Sequence, residues 1–192
     1  MDRGYLYLLI GALLKATTLL PFDLNLLPFF RLDFIGYLLI LTGVREMRTS
    51  SNELKNAYYF AVATLLLRFI PFLLSPINAI MPVNILGILP VLNIFFSVGI
   101  FFWLFKAEYM WSPHTSKRMD WLIYSIVALI KLVFYIALSF AMIDLFTLPL
   151  NLWQILEGMR FINILYYIVL IYILVKLYLE ARGDAPGFKR RN

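Results

Sequence analysis

Three basic residues stand inside long apolar runs: Lys15 in "LLIGALLKATTLL", Arg68 in "VATLLLRFIPFLL" and Lys131 in "IVALIKLVFYIAL". If each run is a helix that starts at a charged boundary, each cation lies about ten residues in. At 1.5 Å of rise per residue that is a depth of roughly 15–17 Å. A charged side chain at such a depth in a bilayer costs at least ~2.5–3.5 kcal/mol on insertion scales, so it faces the interior of a bundle and a partner. Two kinds of chemistry meet that need. One is an internal network in which Asp33, Glu157 and the turn acids Asp23 and Asp144 neutralise the bases and fix helix register, with long basic side chains snorkelling outward. The other is a basic, outward-opening cavity, completed by Arg160, that receives a carboxylate, a phosphate or a lipid headgroup.

Other chemistry finds little support. Cysteine is absent, which excludes disulfides, thiolate metal sites and cysteine nucleophiles. The single histidine, His114, stands in the hydrophilic stretch "KAEYMWSPHTSKRMD". From His114 to Asp120 there are five intervening residues, where the acyltransferase pattern H-x4-D has four. No H-E-x-x-H, G-x-S-x-G or Gly-rich phosphate loop occurs, and Ser75, Ser97, Ser125 and Ser139 have no histidine for a triad. The expectation is a protein without enzymatic activity, cofactor or metal.

The elements that must position these residues follow from composition. The chain has 192 residues, is 62% hydrophobic and has a mean hydropathy of +0.84. Soluble proteins are about 45–50% apolar, and a soluble domain of this size buries only ~70% of its unfolded surface. Lipid must cover the rest. A spanning helix needs about 17–25 mostly apolar residues, and six segments qualify: Gly4–Leu20, Pro28–Val44, Ala57–Leu74, Pro82–Phe105, Trp121–Ile143 and Ile155–Tyr178. The fold class expected is all-α, with six transmembrane helices arranged as three hairpins. The start, "MDRGYLYLLIGALLKATTLLPFD", lacks an A-x-A-like cleavage site and reads as a retained first span.

The formal charge of +6 is concentrated at one set of helix ends. Arg3, Arg45, Arg48, Lys55, Lys106, Lys117, Arg118, Lys176, Arg182, Lys189, Arg190 and Arg191 fall on one side; Arg31 and Arg160 fall near the other. The positive-inside rule makes the first side cytoplasmic, with both termini there. It also accounts for the charge without nucleic acid. Residues 1–180 form the transmembrane domain, and 181–192 form a basic cytoplasmic tail, disordered or lying on anionic headgroups.

An internal repeat accompanies this topology. "FDLNLLP" (Phe22–Pro28) and "IDLFTLP" (Ile143–Pro149) occupy the outer turns of the first and third hairpins, and "INAIMP" is a weaker version in the second. Asp23 and Asp144 suit a turn, and Pro28 and Pro149 suit a first helical turn. With one buried base per hairpin, the pattern suggests one hairpin design used three times.

Two resemblances extend the reading. "LDFIGYLLILTGVREM" resembles a segment of uncharacterised small multi-pass membrane proteins of Gram-positive bacteria, which implies the bacterial cytoplasmic membrane and no particular activity. In length, helix number and cytoplasmic termini the chain is similar to the S components of energy-coupling-factor vitamin transporters, although it has no vitamin-specific motif. That resemblance implies ligand capture from outside, and a membrane partner docked on the Ala12/Ala16 face of the first helix. The resulting expectation is a membrane protein that binds or transports a small anionic ligand, with Lys15, Arg68, Lys131, Asp33, Glu157 and Arg160 as site residues. The alternative is a structural or regulatory membrane subunit whose buried charges only hold the bundle together.

Overall fold

The computed structural model of the protein describes residues 2–17, 32–74, 83–111, 115–142 and 152–183. These contain six helices and no strand: α1 (Asp2–Ala16), α2 (Leu32–Met47), α3 (Asn52–Leu74), α4 (Val83–Trp111), α5 (Thr115–Met142) and α6 (Leu152–Arg182). Each helix packs against its neighbours in sequence, and α6 returns to α1, so the six form a ring. In that ring α4 lies opposite α1.

The helices run past the hydropathic boundaries at their charged ends, because backbone hydrogen bonding continues into polar sequence where hydropathy stops. Ser51 caps α3: its hydroxyl accepts the Leu54 N–H at 3.2 Å, which satisfies one of the amides left unpaired at a helix start. Gly183, with φ of +78°, ends α6 and donates its N–H to the Glu180 carbonyl at 3.1 Å. A left-handed residue at this place is the usual glycine stop.

Leu89–Trp111, Thr115–Ser139 and Glu157–Arg182 are long and apolar enough to cross a membrane. As described, α1 and α2 have 15 and 16 residues, just short of the roughly 17 that a span needs. The expected first span runs on to Leu20, outside the described residues. So do the heptapeptides 22–28 and 143–149, on which the repeat depends, and the tail beyond Gly183.

Small residues bring α1 and α2 into backbone contact. Gly4 and Gly11 on one helix, and Gly36 and Gly43 on the other, are spaced seven residues apart, two helical turns. They pair antiparallel, Gly4 against Gly43 and Gly11 against Gly36. A methyl group at Gly11 would lie 2.6 Å from the Gly36 carbonyl oxygen, and one at Gly43 would lie 2.6 Å from that of Gly4. Glycine is required there because backbone occupies the space of a Cβ. Ala12 is completely buried in the core and Ala16 is half-buried. The part of α1 expected to dock a membrane partner is thus largely committed to packing within the bundle.

The helices carry apolar side chains outward as well as inward, and the few buried polar ones among the described residues, Lys15, Thr64, Ser97, Glu108 and Lys131, are enclosed by an apolar core. On α5, Tyr124, Ala128 and Lys131 are buried, whereas Leu122, Ile123, Ile126, Leu129, Ile130 and Val133 are exposed. Full burial of such a side chain is worth ~1.5–3 kcal/mol. Left in water, these exposed side chains would cost the chain its solubility and drive association. An apolar solvent removes that cost. The same arrangement recurs on α1, with Leu6, Ile10 and Leu13 exposed, and on α6, with Phe161, Ile164, Ile168 and Tyr172 exposed.

Charge collects where α1 and α5 begin and α4 and α6 end. Tyr5 donates its hydroxyl to the buried carboxylate of Glu108, linking α1 to α4 across the ring. Lys117 of α5 bridges Glu108 at 3.0 Å and Glu180 of α6 at 3.5 Å, and Lys176 pairs with Asp120 at 2.5 Å. Four helices are tied at this end.

Candidate functional site

Where α1 ends and α2 begins, beside the middle of α4, α5 and α6, the ring interior carries cations and tyrosines. Lys15 is 6% exposed and Lys131 is 7% exposed. Lys15 reaches across from α1 to α4, where its ammonium donates to the Ser97 hydroxyl at 3.0 Å. It also lies 3.8 Å from the centre of the Tyr37 ring. The Arg68 guanidinium of α3 approaches the same ring at 5.1 Å. Tyr37, itself buried, therefore joins two cations from two other helices.

Lys131 has a different setting. Its ammonium is 3.8 Å from the centre of the Tyr166 ring and 5.0 Å from that of Tyr167. No carboxylate among the described residues forms an ion pair with it. The electron-rich faces of the two rings attract the cation, by about 2 kcal/mol or more for a desolvated contact. Removing an ammonium from water costs several kcal/mol, so the rings leave part of that cost uncovered.

Hydrogen bonds hold the aromatic walls in place. The Tyr124 hydroxyl donates to the Val98 carbonyl at 2.9 Å and lies 2.9 Å from the Tyr166 hydroxyl. Since a carbonyl can only accept, Tyr166 is the donor to Tyr124. The Asn163 amide donates to the Tyr135 hydroxyl at 3.1 Å. One turn of α4 from Ser97, on the same helix face, the Asn93 carbonyl oxygen is buried without a hydrogen-bond partner.

Of the residues expected to form a site, Lys15 and Arg68 meet at the Tyr37 ring, and Lys131 meets the rings of Tyr166 and Tyr167. Glu157 and Arg160 are exposed on α6, off the inward face that runs through Met159, Tyr166, Leu170 and Leu174. The side chain of Asp33 lies outside those described. Tyr37, Tyr166, Tyr167 and Ser97 carry much of the geometry, yet hydropathy treats them as ordinary residues of a membrane helix. The signal that could have found them is the inward spacing Tyr124, Ala128, Lys131, Tyr135 on α5, which makes tyrosine the expected neighbour of lysine. Grouping of His, Cys, Asp or Glu suitable for a metal ion is not found among the described residues.

The chain matches no protein-family model, no curated protein and no solved structure.

Proposed function

We propose that the protein is a six-span bundle of three hairpins in a cytoplasmic membrane, with both termini on the cytoplasmic side. Its interior binds a small anion, or passes it across, at Lys15, Arg68 and Lys131. The observation that carries this reading is the buried Lys131 ammonium, seated on Tyr166 and Tyr167 with no carboxylate paired to it among the described residues. A bound anion supplies the missing compensation. The orientation is supported by the concentration of basic residues at the end that holds Arg3, Lys55, Lys117 and Arg182.

A structural role is favoured by a different contact, the Lys15–Ser97 bond, which holds α1 to α4 without any ligand. Native mass spectrometry of the protein purified in mild detergent separates the two. Ligand binding predicts a co-purified anionic adduct that is lost in Lys131→Gln while the protein remains folded. A purely structural role predicts no adduct in either protein and a marked loss of stability in the variant.

A further inference from the structure

We infer that the bundle is gated at its basic end, the end that carries Arg3, Lys55, Lys117 and Arg182. An apolar plug fills the interior there, and a polar latch centred on Glu108 holds the plug shut. Solutes on that side reach the level of Lys15 and Ser97 only when the latch opens. Such a gate operates whatever the interior binds. The bundle holds a solute while the gate is closed, and passes one across only when it is released.

Two contacts cross the ring from α1 to α4. Tyr5 meets Glu108 near the basic end, and Lys15 meets Ser97 deeper in. From Tyr5 to Lys15 is ten residues, and from Ser97 to Glu108 is eleven. At 1.5 Å per residue both intervals are roughly 15–17 Å, so α1 and α4 run antiparallel and nearly level between the two ties. On α6 the same interval runs from Tyr166 to Glu180. Tyr166 is bonded through Tyr124 to the Val98 carbonyl beside Ser97, and Glu180 is bonded to Lys117 of the latch.

The interval is apolar. Leu8 of α1, Phe101 and Phe105 of α4, and Leu170 and Leu174 of α6 lie within it, each at most 2% exposed, and Ile40 of α2 joins them in one core. Phe105 packs edge-on against the Tyr124 ring of α5, with centroids 4.9 Å apart. Nothing in such a constriction replaces the hydration of a polar solute, so water and ions are excluded from it.

The latch is polar and shared by four helices. The buried Glu108 carboxylate accepts from the Tyr5 hydroxyl of α1 and bridges Lys117 of α5 at 3.0 Å; Lys117 also reaches Glu180 of α6 at 3.5 Å. Hydrogen bonds to a charged group are among the stronger ones, and a buried charge that loses a partner is strongly unfavourable. Drawing α1 away from α4 breaks the Tyr5 bond and leaves the carboxylate short of a donor. The Lys176–Asp120 pair differs, since it joins α6 only to its neighbour α5.

The test is the rate at which an impermeant anionic methanethiosulfonate modifies Ser97→Cys in membrane vesicles of the orientation in which Thr115→Cys, exposed at the basic end, reacts freely. With the gate shut, Ser97→Cys should react at least about tenfold more slowly than Thr115→Cys from that side. Tyr5→Phe keeps the ring and removes the donor, and should raise the Ser97→Cys rate at least about tenfold. Glu108→Ala should raise it further, and Lys176→Met should leave it unchanged. Where Glu108→Ala fails to fold, Tyr5→Phe decides alone. Ser97→Cys reacting as fast as Thr115→Cys without a latch substitution shows that no plug seals this end, and overturns the inference. So does an unchanged rate in Tyr5→Phe, or an equal rise in Lys176→Met, because the latch would then not control access.

Discussion

The Lys131 ammonium rests 3.8 Å from the centre of the Tyr166 ring, with only 7% of the residue exposed. Tyr166 is held through its hydroxyl by Tyr124, whose own hydroxyl is fixed on the Val98 carbonyl. A cation is thereby held on a fixed aromatic support that covers only part of its desolvation cost.

Replacing Lys131 should reveal that expense. Lys131→Met keeps the length and removes the charge, so the ligand-free protein should become more stable, by about 1–4 kcal/mol if it behaves like other uncompensated buried charges. The melting temperature in detergent would rise. A fall of similar size would mean that the cation is a net stabilising element of the bundle.

The paired glycines make a second expectation. Gly11→Ala places a methyl group 2.6 Å from the Gly36 carbonyl oxygen, and backbone cannot move aside as a side chain can. A loss of about 2 kcal/mol or more is expected from such overpacking. Gly158→Ala meets only the edge of the Phe134 ring, at 3.0 Å, and should be much milder. Thermal unfolding of the two variants side by side checks the ranking.

Glu108 should matter more than its ion-pair partner. It accepts from both Tyr5 and Lys117, whereas Lys117 retains Glu180 at 3.5 Å if Glu108 is lost. Glu108→Ala strands the Tyr5 hydroxyl and weakens three-helix contact, at a cost of about 2–4 kcal/mol. Lys117→Met should cost less. Equal losses would show that the Tyr5 bond contributes little.

The membrane orientation has its own check. The chain lacks cysteine, so Thr49→Cys and Thr115→Cys, both at exposed positions, report without background. In intact cells neither should react with an impermeant thiol reagent, and both should react once the membrane is opened. Labelling of either from outside would reverse the bundle.

The burial of Lys15 and Lys131 was readable in the sequence, and helix facing was not. Lys15, Arg68 and Lys131 stand out because charge in an apolar run must be accommodated, and each meets the face of a tyrosine ring. Glu157 and Arg160 lie at a plausible depth but off the inward face of α6, and hydropathy carries no information about which side of a helix a residue occupies. The tyrosines escaped because Tyr is equally at home in an interfacial belt. Their role beside Lys131 depends on α5 and α6 packing together, a tertiary fact. The seven-residue spacing of Gly4 with Gly11, and of Gly36 with Gly43, was visible in the sequence. Its meaning appears only when the two helices are seen to run antiparallel with backbones touching.

The central claim is that the interior attracts anions from the outer side, and the most direct measurement is the rate at which a cysteine beside Lys15 is modified. Ser97→Cys, in the otherwise cysteine-free chain, would be exposed in intact cells to two impermeant methanethiosulfonate reagents of similar size, one anionic and one cationic. Cations at close range should make the anionic reagent react at least about tenfold faster, and Lys131→Gln should reduce that ratio. Equal rates, a faster cationic reagent, or no reaction of either until the cells are permeabilised would contradict the account.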